Sequence, residues 1–501
     1  MSVHIRRLMA FLAVLVMAAA SPLAGQAFGW AGPAEARASA VPPNFVHREG
    51  KDLKLDGRPY RFVGFNAFGM TGCATGTAWT QAELDAYFSG LPPAAMTRTW
   101  AFEWFGVEAL DRIVASAEAH GQKLIFSLAN QGQDCGESDK DLAWYRTGYQ
   151  GGYLSWVTTV VSRFKDSPAI GMWELINEPG NGLALDVTTL KNFFDATAAA
   201  IKRIDPHHLV ETGTMAEYAH PDKYTNYAIL HSGPDIDVGS LHEYDQDHSD
   251  QIVSRHLAPT MTPVYKLNKP FIIGEAGIVA GPGCAISLAT RATMFKREFD
   301  GDFLSGAAGV LIWTYSPNAR SVDPAQQCMH QVRLPDSDPT IAMVRNYIAP
   351  ATVTAPTGPR AIKLRGVANG CLDVPSSSTS DGTVIQLYTC NNTGAQRFTF
   401  QPATDGFYRI LNQTSGKCLD VGGKLDELNA PVRQMTCAST LVAAPNQQFR
   451  LEPTDSGYYR VIPRHSIMCF RMKDGSTAIR TQLTQYDCKT PLLMTQQYAI
   501  G

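Results

Sequence analysis

The sequence predicts an α/β fold, a (β/α)8 or TIM barrel, followed by a smaller all-β domain with an internal threefold repeat. Three observations lead there. Between residues 60 and 316, eight short apolar runs alternate with amphipathic stretches, the signature of a parallel sheet with crossover helices. From residue 371 onward six cysteines form three pairs, each separated by 19 residues, with first members 47 and 51 residues apart. A fixed period of that length marks a structural repeat. Between the two regions, Ala349 to Pro359 is rich in Pro and Thr and lacks hydrophobic periodicity. Residues 349–360 therefore read as a semi-extended linker.

The chain begins with a short basic segment, His4, Arg6 and Arg7, then an apolar run from Leu8 to Ala20. Such a run is too short to cross ~30 Å of hydrocarbon comfortably. Ala38-Ser39-Ala40 before Val41 is an A-x-A-type cleavage site, so residues 1–40 read as a secretory signal peptide. An earlier cut near Ala18-Ala20 is the alternative, and the Arg6-Arg7 pair admits twin-arginine export. The expected product is extracellular, with its cysteines in an oxidising compartment and no membrane attachment after processing.

The barrel is expected over 41–348. Its candidate strands are Arg61–Phe68, Met96–Phe102, Lys123–Asn130, Ile170–Asn177, Leu209–Thr214, Val238–Glu243, Phe271–Glu275 and Gly309–Thr314. Candidate helices include Val107–His120, Tyr153–Phe164, Leu190–Ile204 and Ile286–Phe303; in the first, Leu110, Ile113, Val114 and Ala117 fall at helical spacing. The repeat domain is expected over 361–501, or 47 residues per unit. Two domains after an export segment suit 501 residues. Charged residues are 18% and hydrophobic ones 45%, enough to fill cores and too apolar for disorder. Forty-three Lys+Arg against 46 Asp+Glu leave a net charge of −3, so the basic excess of a nucleic-acid binder is missing. No Cys/His cluster has zinc spacing and no Gly-rich phosphate loop is evident; no metal or cofactor is expected. A monomer is expected.

In a (β/α)8 barrel the chemistry belongs at the carboxyl ends of the strands. The fourth strand ends in Trp173-Glu174-Leu175-Ile176-Asn177-Glu178-Pro179 and the seventh in Gly274-Glu275-Ala276. Two carboxyls, one protonated and one ionised, are what glycoside hydrolysis requires. Glu174, earlier in the same strand, reads as a buried supporting carboxylate. His207, His208, His220 and His248 read as surface residues on or near loops.

Asn-Glu-Pro at the end of strand four with a Glu at the end of strand seven resembles the retaining glycoside hydrolases of the clan containing family 5, over roughly 45–345. The resemblance implies Glu178 as general acid/base and Glu275 as nucleophile. It implies that Asn177 binds the sugar 2-hydroxyl, that the Tyr244 hydroxyl of the His242-x-Tyr244 motif orients the nucleophile, and that Arg98 keeps the nucleophile's pKa low. Trp313 would form an aromatic floor. Thr97-Arg98-Thr99-Trp100-Ala101-Phe102 and the strand ending at Asn130 look most like family 5 endo-β-1,4-mannanases, which adds Trp100 and Asn130 as substrate-binding residues. Mannanases of this type usually carry a Trp soon after the third strand, where this chain has Gln131-Gly132-Gln133-Asp134-Cys135-Gly136. Trp100, Trp104 and Trp144 are the candidates for a replacement platform. An endo-β-1,4-glucanase or another β-glycanase, a transglycosylase, and a non-catalytic carbohydrate-binding protein are the alternatives.

Within the repeat, Gly370-Cys371-Leu372-Asp373-Val374 is echoed by Lys417-Cys418-Leu419-Asp420-Val421, and each unit ends in Gln-x-aromatic. The segment resembles ricin-type β-trefoil lectin domains, including carbohydrate-binding module family 13. The resemblance implies one shallow sugar pocket per lobe and disulfides Cys371–Cys390, Cys418–Cys437 and Cys469–Cys488. The first lobe supplies Asp373, Gln386, Tyr388 and Gln396. The second supplies Asp420, Asn446 and Gln447, with Arg433 and Met435 at the Gln and aromatic positions. The third has Arg471 in place of the Asp, although Tyr486 is present, and is expected mainly to complete the fold. Phe398, Phe449 and Tyr498 are expected in the core. The four front cysteines allow three pairings; Cys73–Cys135 and Cys284–Cys328 would brace loops lining the cleft.

Overall fold

The computed structural model describes residues 41–73, 76–180, 185–215, 223–244, 257–317, 328–333, 338–347, 354–403, 406–422, 427–439, 444–454, 457–466, 468–488 and 493–501. The export segment, His220, His248 and linker residues 349–353 lie outside these. Among the described residues no helix is long and apolar enough to cross a membrane.

Eight parallel strands form the front sheet. In chain order they are Phe62–Asn66, Met96–Trp100, Lys123–Ser127, Ile170–Glu174, Leu209–Glu211, Gly239–Glu243, Phe271–Ala276 and Gly309–Trp313. Each pairs with its sequence neighbour, and the eighth pairs with the first. A parallel bridge between Glu211 and Val238 joins the fifth to the sixth and closes the barrel. Strands of Val, Ile, Leu and Phe buried on both faces suit this arrangement. All eight expected strands are present, most ending two or three residues earlier than the apolar runs suggested.

The helices expected from periodicity are Val107–Ala119, Gly152–Phe164, Val187–Ile204 and Leu288–Ser305. Their apolar faces pack outside the sheet; Leu110, Ile113, Val114 and Ala117 are all buried. Gln81–Ser89 is a further helix, started by a capping box in which the Thr80 and Glu83 side chains each accept from the other's backbone N–H. An antiparallel hairpin, Val46–Glu49 with Asp52–Leu55, precedes the barrel.

The C-terminal domain has twelve strands among the described residues, four per repeat. Phe398, Phe449 and Tyr498 are fully buried and share one apolar cluster with Leu372, Leu419 and Phe470. All five expected disulfides are present.

Two expectations need correction. The described part of the linker is not a free spacer: the Ala355 N–H donates to the Tyr408 hydroxyl at 3.0 Å, and Arg360 pairs with Phe398 through both backbone hydrogen bonds. The short apolar side chain at 355 finds a place in the trefoil core. His208 is not a surface residue; it is buried between Asp205 Oδ2 at 2.6 Å and the Ser167 carbonyl at 3.0 Å.

The two domains share packed surface. Ile462 and the Cys469–Cys488 bridge join the apolar cluster of the barrel. Buried Arg450 donates to Ser305 Oγ, at the end of the last long barrel helix, at 3.0 Å. Arg450→Ala removes a buried donor and leaves its partners desolvated. We expect a loss of about 2–3 kcal/mol, measured as a lower urea midpoint at unchanged m-value.

Candidate active site

The carboxyl ends of the barrel strands converge on one guanidinium. Arg98, fully buried at the end of the second strand, fills its donors from three other strands. Its Nε bonds to Glu174 Oε2, and Nη2 donates to Glu174 Oε1 and Asn177 Oδ1, both at 2.6 Å. Nη1 donates to Asn66 Oδ1 at 2.8 Å and to Glu275 Oε1 at 2.6 Å. A guanidinium presents five N–H groups in a rigid plane, and here five contacts satisfy them.

Glu275, at the end of the seventh strand, is buried. Its other oxygen, Oε2, accepts from the Tyr244 hydroxyl. The Tyr244 ring fits because residue 277 is glycine: a Cβ there would lie 2.4 Å from the ring. Burial pushes the Glu275 carboxyl above its ordinary value, while His242 and Arg98 pull it back. Arg98 thus opposes the rise, as expected of it, but the carboxyl does not end below its ordinary value: in so dry a site desolvation outweighs the opposing interactions.

Glu178 sits just past the fourth strand in a left-handed conformation, φ 49°, with its N–H donating to the Gly213 carbonyl at 3.0 Å. Its side chain is 19% exposed, open to a ligand. His242 lies between the two acids, with Nδ1 3.1 Å from Glu178 Oε1 and 3.5 Å from Glu275 Oε1. One oxygen of each carboxylate and a ring nitrogen of His242 all lie within 4.8 Å of one another. A cation could bridge such a trio, yet Glu275 already accepts from Arg98 and Tyr244, so the arrangement works as a hydrogen-bonded network.

Asn177 is anchored at both ends of its amide: Oδ1 accepts from Arg98 and Nδ2 donates to Asn130 Oδ1 at 2.8 Å. One Nδ2 hydrogen is left for a sugar hydroxyl. Asn130 itself is buried and bonds to Asn177, Gly132 and Asp134. It orients Asn177. Trp313 is stacked on Phe68 at 4.9 Å and 5°. Trp100, 4% exposed, lies beneath this pair with the Arg98 guanidinium 4.8 Å from its ring. It supports the floor.

Three contributors were not singled out from the sequence: Asn66, Ser127 and Glu211. Asn66 ties the first strand to Arg98 and, through Nδ2, to the Gly274 carbonyl at 2.9 Å. Ser127 Oγ donates to Glu174 Oε1 at 2.5 Å. Glu211, fully buried at the end of the fifth strand, accepts from the Gly213 N–H at 2.7 Å and lies close enough to Glu174 for the two charges to interact. Each is a polar residue at a strand's carboxyl end, the signal that could have found them.

In the trefoil, Asp373 is held by Gln386 Nε2 at 2.8 Å and Gln396 Nε2 at 3.1 Å, with Tyr388 on the same strand as Gln386. Asp420 is held by Arg433, Asn446 and Gln447 at 3.1, 2.8 and 3.1 Å. Gln396 and Gln447 are buried, and each also accepts a backbone N–H from the loop after its lobe's second cysteine. They position the aspartate and its loop. In the third lobe Arg471 covers the Tyr486 ring at 4.1 Å.

Known proteins place this geometry. Residues 152–277 match the family described as GH family 5 beta-mannosidase-like, and 360–498 match the ricin-type beta-trefoil lectin domain. A probable mannan endo-1,4-beta-mannosidase A-2 of Aspergillus terreus is 30% identical over 297 residues, covering 54% of this chain and 68% of that protein. The chain belongs to glycoside hydrolase family 5. A rice mannan endo-1,4-beta-mannosidase 8 is 26% identical over 60% of this chain and 98% of its own. The crystal structure of an endo-1,4-beta-mannanase from Rhizomucor miehei is 20% identical, covers 60% of this chain and 98% of its own, and has a TM-score of 0.47.

Inside the family 5 barrel, Glu174 and Glu211 are neighbouring buried carboxyls, and like charges so placed disfavour the ionisation of both at once. Burial and the charge of Glu174 push Glu211 well above the ordinary carboxylate range; burial also acts on Glu174, but Arg98 holds it below that range. Glu211 is therefore the protonated member. Glu211→Gln keeps a neutral polar side chain beside Glu174 and should leave kcat/KM within a few-fold, whereas Glu211→Leu should lower it more than ten-fold. The raised folded-state pKa stabilises most below the unfolded value, and that contribution is lost as pH rises through the folded one. Urea unfolding at pH 5 and pH 8 should therefore show a smaller decline for Glu211→Gln than for the parent. Equal slopes would contradict the assignment.

Proposed function

We propose that the protein is a secreted, monomeric, retaining endo-β-1,4-mannanase whose trefoil domain holds it on polysaccharide. The observation that carries the reading is the placement of Glu178 and Glu275, with one oxygen of each within 4.8 Å of the other. Retaining enzymes keep their carboxyls ~5–5.5 Å apart, whereas inverting ones need ~6.5–9.5 Å to admit a water. The five disulfides agree with export, and the mannan preference follows the Aspergillus terreus and rice relatives.

In the first step a Glu275 oxygen attacks the anomeric carbon while Glu178 gives its proton to the departing glycosidic oxygen. The C–O bond to the leaving sugar breaks and an ester to Glu275 forms. In the second step Glu178, now ionised, takes a proton from water, which attacks the anomeric carbon and releases Glu275. Arg98 and Tyr244 hold the two Glu275 oxygens. They prevent the carboxylate from rotating away and stabilise it again as it leaves. The remaining Asn177 hydrogen suits the 2-hydroxyl, a contact that strengthens in the transition state.

Glu178→Gln and Glu275→Gln should each reduce turnover by about 10³-fold or more with polysaccharide binding retained. On mannan, glucomannan, carboxymethylcellulose, xylan and β-1,3-glucan, the enzyme should release manno-oligosaccharides of mixed length with the β-configuration kept. A preference for carboxymethylcellulose would overturn the mannan reading, and α-products would overturn retention. Asp373→Ala should weaken polymer pull-down while leaving kcat/KM on soluble oligosaccharides unchanged, because the first lobe retains the full Asp, Gln and Tyr set.

A further inference from the structure

Trp104 presents an aromatic face with no role in the fold. It is 72% exposed, and among the described residues it is the only aromatic side chain among the large apolar groups left exposed. A large aromatic side chain buries about 150–250 Å² when it is covered, surface that a ligand bound on this face of the barrel can take up. The other two candidate platforms are less open: Trp100 is buried, and half-buried Trp144 packs among Tyr145, Tyr149, Tyr153 and Phe193.

The residue is also rigidly held. It lies on the short turn Glu103–Phe105 that follows the second barrel strand, on the catalytic face of the barrel. The ring rests on the backbone of Gly136, where a Cβ would come within 2.4 Å of its Cγ. Gly136 follows Cys135, which is bonded to Cys73, so the seat is covalently braced. The flanking residues are locked from within: Phe102 stacks on Trp100 at 5.1 Å and on Phe105 at 6.0 Å. Trp100 in turn meets Trp313 at 5.8 Å. A file of rings therefore runs outward from the floor of the catalytic site to the turn that carries Trp104.

We propose that Trp104 is a carbohydrate platform at the rim of the cleft, stacking on the apolar face of a pyranose unit of the same glycan chain, beyond the unit seated at Trp313. The ring meets the backbone of Gly136, and most of its surface is open to a ligand. A flat, uncharged, pre-set surface of this kind favours the C–H face of a neutral sugar and loses little entropy on binding. The inference rests on the reading of the protein as a β-glycanase.

The test compares Trp104→Ala and Trp104→Phe with the parent on mannohexaose and on 4-nitrophenyl β-mannobioside. If the parent prefers another β-glycan, which would count against the mannan reading alone, the hexaose and aryl bioside of that glycan replace them. For Trp104→Ala, kcat/KM on the hexaose should fall about five- to ten-fold, mainly through KM, the size of one aromatic stacking contact. The aryl bioside, too short to reach the rim, should be turned over as before, which also reports an intact fold. Trp104→Phe should recover most of the loss. In the Glu178→Gln background, adding Trp104→Ala should weaken hexaose binding by the same factor. An unchanged hexaose KM, or an equal loss on both substrates, would overturn the proposal.

Discussion

The catalytic end of the barrel depends on the buried guanidinium of Arg98. Its five contacts reach Asn66 on the first strand, Glu174 and Asn177 on and after the fourth, and Glu275 on the seventh. No other side chain could do this: a lysine offers three donors on a flexible stem, without the planar fork that meets two carboxylates and two amides at once. The position of Glu275, the rotamer of Asn177 and the low pKa of Glu174 follow from that one group.

The same group creates a charge problem that the barrel solves with a proton. One cation faces Glu174, Glu211 and Glu275 in a site with little water. Three full negative charges there would cost far more than Arg98 returns. Holding Glu211 neutral removes one of them. His242 Nδ1 lies between Glu178 and Glu275, within reach of both carboxyls.

The second domain shows a division of labour among lobes of similar fold. In the first, the carboxylate of Asp373 is held by the side-chain amides of Gln386 and Gln396. In the second, Arg433 occupies one oxygen of Asp420. In the third, Arg471 closes over the tyrosine, and the bridge Cys469–Cys488 packs with the barrel. The third lobe, with arginine at the aspartate position, shares the contact with the barrel with Arg450 of the second.

Much of this was legible in the residues. Alternating apolar runs marked all eight strands because burial on both faces demands continuous Val, Ile, Leu and Phe, and the cysteine period marked the three lobes because each unit closes its own loop. Glu178 and Glu275 stood out because chemistry in such a barrel sits where strands end. Glu211 did not, since a carboxylate at a strand end reads the same whether it reacts, supports or merely holds a proton. Asn130 and Trp100 read as ligand contacts and are largely buried, Asn130 bonded to Asn177 and Trp100 packed on Trp313, and the linker and His208 proved to be packed. Local pattern determines which residue types reach the mouth of the barrel. Which carboxyl is ionised, which aromatic has an open face and which lobe is covered depend on distances between segments far apart in the chain, and only the closed tertiary structure sets those.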